Sequence, residues 1–477
     1  MTIIYGLLGL SIIVFIHEAG HFAAARIFGV KVESFSIGMG PVLLHKLVGG
    51  TDYRLSLIPF GGYCGMKGEK DFQNAMEKGL DTIAAETDSF YGIHPFKRLC
   101  IAFAGPFANF LSALIALSII AMTGYDYYTT SNKIILAEEL PNPKAEFGIQ
   151  TFPASRAGLQ TGDRIIAVNG KSIAYFSDIV ENVSLNAGTM LRIDAERNGQ
   201  ILQFTLTPET DKSSGAGKIG IVSWIDPIIE NTADGSAAQR ANLQAGDRIT
   251  ELNGQTVRNT IDLFKAAANL QEADIVYERS GKTYTARLTA ESAEDSESAE
   301  SSEKNATDEK TEKNEINLLR GINWKVERVH SKTYSFFPAF VQGAKETGKM
   351  IVVTIKGIGL LFKGVDVKQA VSGPIGITIM LGESAKTGFS AGLRAGTVTV
   401  LNFTAVISLS LFLMNLLPIP ILDGGLILFA LIELIRGKGL KPKTLYKIQF
   451  IGVAFIAVLF VFGMFADISG IISGRYR

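Results

Sequence analysis

The sequence is poor in cysteine, histidine and tryptophan, and neither sign of charge is in excess. Its 477 residues include two cysteines, five histidines and two tryptophans, and 46 basic residues balance 46 acidic ones. Two cysteines are too few for a disulfide framework, so we expect Cys64 and Cys100 to be unpaired thiols without a metal role. A net charge of zero gives no electrostatic reason to expect nucleic acid as a partner.

The hydrophobic content is high for a soluble protein. Hydrophobic residues make up 47% of the sequence and charged residues 19%, and the mean hydropathy is +0.24. This balance predicts membrane spans combined with soluble modules. Runs with few or no charges that are long enough to cross a bilayer lie at 2–25, 99–125, 395–422 and 448–466.

Lysine and arginine are distributed unevenly around these four runs. Nine of them lie between the first two runs and five between the last two, whereas the N-terminus has none. Short cytoplasmic loops carry an excess of Lys and Arg. We therefore expect both loops on the cytoplasmic side and the long middle region on the opposite side.

The first run contains an HExxH motif, His17-Glu18-Ala19-Gly20-His21. These are the only His, Asp, Glu, Lys or Arg residues between positions 2 and 25. On a helix, His17 and His21 are one turn apart and share a face, so both imidazoles can bind one metal ion, and Glu18 beside them is placed to take a proton from water. Ionisable side chains are costly at bilayer depth, which favours a functional site over a surface histidine pair.

A catalytic zinc site usually takes three protein ligands, so a partner is needed from another segment. The third apolar run ends at Pro418 and Pro420, which must break the helix. Asp423 follows, on what the sequence indicates is a flexible support made by Gly424 and Gly425. We expect Asp423 to be the third ligand; the alternative is an interfacial aspartate in a helix-terminal turn.

The middle region contains an internal repeat. Residues 157–170 (AGLQTGDRIIAVNG) and 241–254 (ANLQAGDRITELNG) match at nine of fourteen positions, 84 residues apart. Each copy has a Gly-Asp turn, an apolar strand and an Asn-Gly turn, and the spacing suits two small β-rich domains. The pattern resembles PDZ domains, which bind peptides by strand addition; two purely structural β-modules are the alternative.

Two further segments differ from these modules in composition. Residues 291–315 have no aromatic and no large aliphatic side chain. This composition predicts a solvated acidic linker. Residues 336–362 are amphipathic, with lysines among apolar residues, and are expected to lie at the membrane surface or to pack on the bundle.

Four motifs together resemble the site-2 protease family of intramembrane zinc metalloproteases, and within it the bacterial RseP branch, which carries two tandem PDZ domains. The matching segments are HEAGH (17–21), FAGPFANF (103–110), VSGPIGI (371–377) and NLLPIPILDGG (415–425). The resemblance implies Zn²⁺ bound by His17, His21 and Asp423, with Glu18 as general base. It also implies that Asn415 positions substrate.

The resemblance does not settle the roles of some residues and segments. Asn109, a polar side chain at membrane depth, is expected either to bind substrate or to form a hydrogen bond between helices. Residues 32–38 and 53–59 are typical of short strands. The family implies a membrane-associated β-hairpin that pairs with unwound substrate; a soluble hairpin is the alternative. Leu426 replaces a histidine that many relatives have, and residues 67–90 look like an addition.

We therefore expect a multi-domain membrane protein with an α-helical bundle of about four spans, a membrane-associated β-hairpin and two β-rich PDZ-like domains. The expected boundaries are 1–29 (first span), 30–97 (cytoplasmic loop with hairpin), 98–125 (second span), 126–214 and 215–290 (PDZ-like), 291–317 (linker), 318–392 (membrane-surface segment), 393–425 (third span with LDGG), 426–447 (cytoplasmic loop), 448–467 (fourth span) and 468–477 (tail).

The expected function is zinc-dependent cleavage of transmembrane segments of single-pass membrane proteins, after a first cut by another protease. The resemblance implies anti-sigma factors and remnant signal peptides as substrates, a bacterial inner-membrane location, an active site near the cytoplasmic side and PDZ-like domains outside. A peptide or the cut substrate end is the expected partner of those domains, and a monomer is the default. The alternatives are a membrane-anchored PDZ receptor with a structural metal, and a metal transporter.

Overall fold

Within the part of the chain that the structure describes, four helices are long and apolar enough to cross a membrane, in agreement with the four apolar runs of the sequence. They are Ile3–Ile27, Pro95–Thr123, Leu393–Asn415 and Pro442–Ile472. The computed structural model describes residues 2–140, 152–211, 215–290, 317–361 and 372–473. Apart from Asn317, the linker expected at 291–317 lies outside these ranges.

The described helices are α1 (Thr2–Ile27), α2 (Glu69–Glu77), α3 (Pro95–Thr123), α4 (Pro153–Arg156), α5 (Phe176–Ser184), α6 (Ala237–Arg240), α7 (Thr260–Ala267), α8 (Phe336–Leu361), α9 (Pro374–Ser390), α10 (Leu393–Asn415), α11 (Asp423–Arg436) and α12 (Pro442–Ile472). The described strands are β1 (Val32–Val48), β2 (Thr51–Met66), β3 (Asp126–Thr129), β4 (Ile134–Leu136), β5 (Arg164–Val168), β6 (Lys171–Ser172), β7 (Leu191–Arg197), β8 (Gln200–Leu206), β9 (Glu209–Thr210), β10 (Gly217–Lys218), β11 (Ile221–Ser223), β12 (Ile229–Thr232), β13 (Arg248–Leu252), β14 (Gln255–Thr256), β15 (Glu272–Arg279), β16 (Lys282–Thr289), β17 (Ile322–Trp324) and β18 (Glu327–His330).

Helix α3 is the centre of the bundle and packs against α1, α8, α10 and α11. Small residues bring α1 and α3 close together. A Cβ atom on Gly20 would overlap the carbonyl oxygen of Ala104 and lie 2.8 Å from the Cβ of Ala108. Close approach through small residues is the usual way in which helices pack within a membrane.

Helix α9 lies inside the bundle, although the sequence led us to expect a membrane-surface segment over 318–392. It packs against α1 and α10. Its buried face contains Gly376, Gly382, Ala385 and Gly388, and this smooth face lets neighbouring helices approach closely. Its 17 residues are short for a span, so length alone did not reveal it.

The hairpin after α1 is larger and more bent than the expected short strands. Leu44 pairs with Leu55 and Val48 with Thr51, so the two strands meet at the Gly49-Gly50 turn. The first part of β1 also pairs twice: residues 34–37 run beside 52–55 on one side and beside 62–65 on the other. The result is a small sheet of four segments, in the order 44–48, 51–55, 34–37 and 62–65.

The two copies of the repeat fold alike. Each forms a four-stranded sheet of matching order, β6-β5-β7-β8 in the first copy and β14-β13-β15-β16 in the second. The shared Gly-Asp turn has a structural role. Buried Asp163 accepts two hydrogen bonds of 2.7 Å from Arg197, and buried Asp247 accepts the equivalent pair from Arg279 at 2.6 and 2.7 Å.

The packing of the two modules crosses the boundaries expected from the sequence. Strand β11 pairs with β4 of the first module, so the first module continues past residue 214. In the second module, β12 pairs with β17, and Leu318 and Leu319 join its hydrophobic core. The chain therefore returns to the second module after the linker before it enters α8.

Helix α8 has the second of the two placements expected for 336–362, because it packs on the bundle, whereas α11 lies where the sequence predicts a loop. Helix α8 packs along α3. Nζ of Lys349 on this helix lies 2.7 Å from Oε1 of Glu181 in the first module. Helix α11 fills much of 426–447, where we expected a cytoplasmic loop. Its 14 residues are mostly apolar and too short to span a bilayer, and it packs against α3.

Candidate metal centre

The HExxH residues lie in the second half of α1, where the helix is uninterrupted. Helical spacing places His17 and His21 on one face, and their rings meet edge to face with centroids 4.8 Å apart. Both side chains are buried, at 8% and 7% exposure. Two imidazoles are therefore held together in a site that little solvent reaches.

Asp423 completes a triangle with the two histidines. Nε2 of His17 lies 3.2 Å from Nε2 of His21 and 3.1 Å from Oδ2 of Asp423. Nε2 of His21 lies 3.3 Å from Oδ1 of Asp423. Among the described residues, these three form the one group of His, Cys, Asp and Glu side chains able to hold a metal ion.

The donor set and its dimensions fit zinc. Tetrahedral Zn²⁺ has nitrogen and oxygen ligands at about 2.0–2.1 Å, which places ligand atoms about 3.3 Å apart. The observed separations of 3.1, 3.2 and 3.3 Å match the edges of one face of such a tetrahedron. Three protein ligands leave a fourth position for water or substrate, as in catalytic zinc sites.

Helix α3 contacts the ring of His21 and fixes its orientation. Nδ1 of His21 lies 2.8 Å from the carbonyl oxygen of Ile101 and donates to it, which leaves Nε2 free to bind a metal. Gly105 lies against the same ring, and a Cβ atom at this position would overlap Nε2. The glycine of the AGP segment thus leaves room for Nε2 of His21.

Asp423 is held rigidly rather than by a flexible glycine support. Helix α10 ends at Asn415 as the two prolines require, and α11 begins at Asp423. Both following glycines are buried; a Cβ on Gly424 would overlap the carbonyl oxygen of Leu417, and one on Gly425 that of Ile419. The helix N-terminus also favours the negative charge of a carboxylate.

Glu18 lies between the metal-binding triangle and strand β2. Its carboxylate interacts electrostatically with both histidines and with Asp423, and it accepts a hydrogen bond from the backbone N–H of Cys64. A Cβ on Gly62 would come within 3.5 Å of Glu18 Cγ. Burial, and next the charge of Glu18, raise the pKa of the Cys64 thiol to about 12, so this thiol stays protonated at neutral pH.

The two asparagines of interest lie in different places. Asn109 is fully buried in α3, with Nδ2 3.2 Å from Nδ1 of His17, a hydrogen bond between helices. Asn415 is partly exposed at the end of α10, and its side chain makes no hydrogen bond within the described ranges. The sequence does not single out Gly105, although this glycine stands one helical turn before Asn109, the same spacing that links the two histidines.

Comparisons with known proteins show what the whole chain is similar to. The sequence profile of peptidase family M50 matches residues 5–459. A protein of Treponema pallidum (strain Nichols) named "Putative zinc metalloprotease" is 40% identical over 98% of this chain and 99% of its own length. The "Regulator of sigma E protease" of Haemophilus influenzae is 28% identical over 97% of both chains. The chain therefore belongs to peptidase family M50 and is a zinc-dependent metalloprotease of the membrane.

Proposed function

We propose that this metalloprotease cuts transmembrane segments of single-pass membrane proteins, with His17, His21 and Asp423 as zinc ligands and Glu18 as general base. The observation that carries the proposal is the convergence of three ligand atoms, within 3.3 Å of one another, from helices α1 and α11. Both helices belong to a bundle whose long members are apolar.

The chemistry follows from the placement of these groups. Bound zinc supplies Lewis acidity, which makes water a nucleophile near neutral pH and polarises a carbonyl. The Glu18 carboxylate takes the proton of the attacking water and passes it to the leaving amine. The Cys64 N–H holds this carboxylate beside the ligand triangle, so the base needs little rearrangement before it acts.

The small sheet offers a way to hold an unwound substrate. Segment 62–65 pairs with 34–37 on one side, and on its other side the N–H of Cys64 points to Glu18. A substrate strand added along this segment would satisfy backbone groups that cost several kcal/mol each when unpaired in lipid. Exposed apolar side chains on the hairpin support its contact with lipid, namely Met39, Val42, Leu43, Leu44, Leu47, Val48, Leu55, Leu57 and Ile58.

The wider arrangement is proposed from charge and homology together. The excess of Lys and Arg in the loops beside α1 and α12 supports an inner-membrane protein with its site toward the cytoplasm and the two repeat modules outside. We propose that these modules are PDZ-like domains that meet a peptide or the cut end of a substrate. The sequence predicts them at 126–214 and 215–290, and the pairing of β11 with β4 and of β12 with β17 extends both beyond those bounds. One relative is named "Regulator of sigma E protease", and we propose anti-sigma factors and remnant signal peptides as substrates of this chain. Asn415, partly exposed at the end of α10, is proposed to position the substrate.

The decisive experiment replaces the base while leaving the ligands intact. Glu18→Gln protein is purified at full length, and its zinc content and its cleavage of a tagged single-span substrate are measured together. We expect zinc content to be retained and cleavage to fall by at least about 10²-fold. Glu33→Gln is the matched control, since Glu33 is an exposed carboxylate on the nearby hairpin.

Two results would count against the proposal. Cleavage at the wild-type rate by Glu18→Gln protein removes Glu18 from the mechanism. Full zinc occupancy after Asp423→Ala, measured in the same preparation, removes Asp423 from the ligand set. We further propose that the outer modules act as a size filter that excludes substrates with bulky outer domains. Deletion of residues 128–290 is then expected to allow cleavage of uncut substrates, and substrates that stay refractory would exclude the filter.

A further inference from the structure

The side-chain amide of Asn109 is buried, and of its two polar atoms only Nδ2 has a hydrogen-bond partner among the described residues. Its side chain is fully inaccessible to solvent, and Nδ2 lies 3.2 Å from Nδ1 of His17. Its Oδ1 atom is also buried and has no hydrogen-bond partner among the described residues. A buried acceptor without a partner destabilises the folded protein. The presence of an asparagine at this place in the bundle therefore needs an explanation.

The explanation lies in the two tautomers of His17. In the structure, Nε2 of His17 faces Oδ2 of Asp423 at 3.1 Å. When Nε2 donates its proton there, Nδ1 is an acceptor, and Nδ2 of Asn109 is the donor that it needs. When Nε2 instead binds a metal ion, a neutral imidazole carries its proton on Nδ1. Nδ1 and Nδ2 would then be two donors facing each other.

A half-turn of the Asn109 amide resolves this conflict. The rotation exchanges Nδ2 and Oδ1 in nearly the same volume, so the spare acceptor would take the place beside Nδ1. One side chain then fits both the metal-free and the metal-bound tautomer of His17. Leucine offers neither group, and aspartate offers only acceptors.

The second histidine is held in a different way. His21 donates from Nδ1 to the carbonyl oxygen of Ile101 at 2.8 Å, and a backbone carbonyl cannot exchange roles. Ile101 and Asn109 are eight residues apart on α3, about two helical turns, so one helix supports both rings. Partners of this kind orient metal-binding histidines, and their loss typically weakens metal affinity about 10- to 100-fold.

We infer that Asn109 is a positioning residue that orients His17 and turns its amide when the metal binds, rather than a residue that binds substrate. This inference rests on the proposed zinc ligands, because it assigns Nε2 of His17 to the metal. It accounts for an asparagine at this place, where a fixed donor or a fixed acceptor would fit only one state.

The test compares zinc affinity across variants of the detergent-solubilised full-length protein, by competition with a chelator of known affinity. We expect Asn109→Leu to raise the zinc dissociation constant about 10- to 100-fold. Asn109→Asp supplies the acceptor and should bind zinc at least as tightly as the wild type. Ser112→Ala is the matched control, since Ser112 donates to the backbone oxygen of Asn109 and does not reach His17.

A second measurement separates positioning from general structural damage. Thermal unfolding of the metal-free variants is recorded beside zinc affinity; the expected loss of affinity in Asn109→Leu protein exceeds any loss of metal-free stability, and Asn109→Asp restores affinity. Asn109→Ala replaces the leucine variant if that variant does not fold.

Three outcomes would overturn the inference. They are zinc affinity within twofold of wild type in Asn109→Leu protein, equal weakening in the leucine and aspartate variants, and a raised KM with unchanged zinc affinity, which marks substrate binding. Asp423→Ala serves as the independent check on the ligand set. If that variant binds zinc like the wild type, the proposed site fails whatever Asn109 does.

Discussion

Arg98 and Glu433 form an ion pair at 2.5 Å between the start of α3 and the helix that begins at Asp423. The side chains are 11% and 25% exposed, respectively. The pair joins the helix that contacts both histidines to the helix that carries Asp423. It therefore fixes α11, and with it Asp423, against α3.

Removal of this pair is expected to destabilise the bundle. Glu433→Gln leaves the Arg98 guanidinium without its charged partner, and we expect a loss of about 2 kcal/mol in the free energy of unfolding. Breaking a fully buried pair costs about 3–5 kcal/mol, and the partial exposure of Glu433 reduces this. Denaturant unfolding of the purified protein measures it. Asp81→Asn is the control, because the Asp81–Lys441 pair is well exposed and is expected to contribute less than about 1 kcal/mol.

A side chain at position 105 is expected to abolish zinc binding. In Gly105→Ala protein, the new methyl group would occupy the space of His21 Nε2, so the imidazole must turn away from the ligand triangle. Zinc content after dialysis against a weak chelator measures the effect. Gly348→Ala is the matched control, since a Cβ at that helical glycine meets no atom within 4 Å; normal zinc content in both variants would contradict the argument.

Asp467 is expected to anchor the last helix to the bundle. This fully buried carboxylate of α12 accepts hydrogen bonds from the backbone N–H groups of Gly373, at 2.7 Å, and Ile375, at 3.0 Å. Asp467→Ala leaves both donors without this acceptor and should cost about 1–3 kcal/mol; Asp467→Asn, which keeps one acceptor oxygen, should cost less. Thermal unfolding ranks the two variants, and equal stability of Asp467→Ala and wild type would exclude an anchoring role.

Cys64 is expected to resist thiol reagents in the folded protein. With a pKa of about 12, about one thiol in 10⁴ is a thiolate at pH 8, and the thiolate is the reactive form. Maleimide labelling of Cys100→Ala protein, followed by mass spectrometry, should be slow until denaturant is added. The Glu18→Gln change in the same background should speed labelling, because the charge of Glu18 contributes to the raised pKa; complete reaction within minutes in the folded protein would contradict this.

Local patterns in the sequence identified much of the site. The i, i+4 spacing of His17 and His21 places both on one helical face wherever the helix lies. The apolar runs predicted four spans that the structure has, and the prolines at 418 and 420 predicted the end of α10. These features depend on neighbours within one or two turns, so the sequence alone specifies them.

Other features depend on contacts between distant segments. Helix α9 is too short to be recognised as a span, and only its smooth packing against α1 and α10 places it in the bundle. The two glycines after Asp423 suggested flexibility, yet they lie under backbone carbonyls that fix them. The sequence alone does not distinguish a glycine that makes the backbone flexible from a glycine that allows close packing.

The sequence by itself determined which side chains are available for the chemistry of this protein. They are two histidines one turn apart, a glutamate between them and an aspartate after a broken helix. Only the tertiary structure decided that Asp423, about four hundred residues later, lies within 3.3 Å of both rings. It also decided that Gly105 and Asn109 of α3 support those rings. The physical reason is that helical spacing is set by local backbone geometry, whereas the meeting of α1, α3 and α11 is set by the packing of small residues between helices.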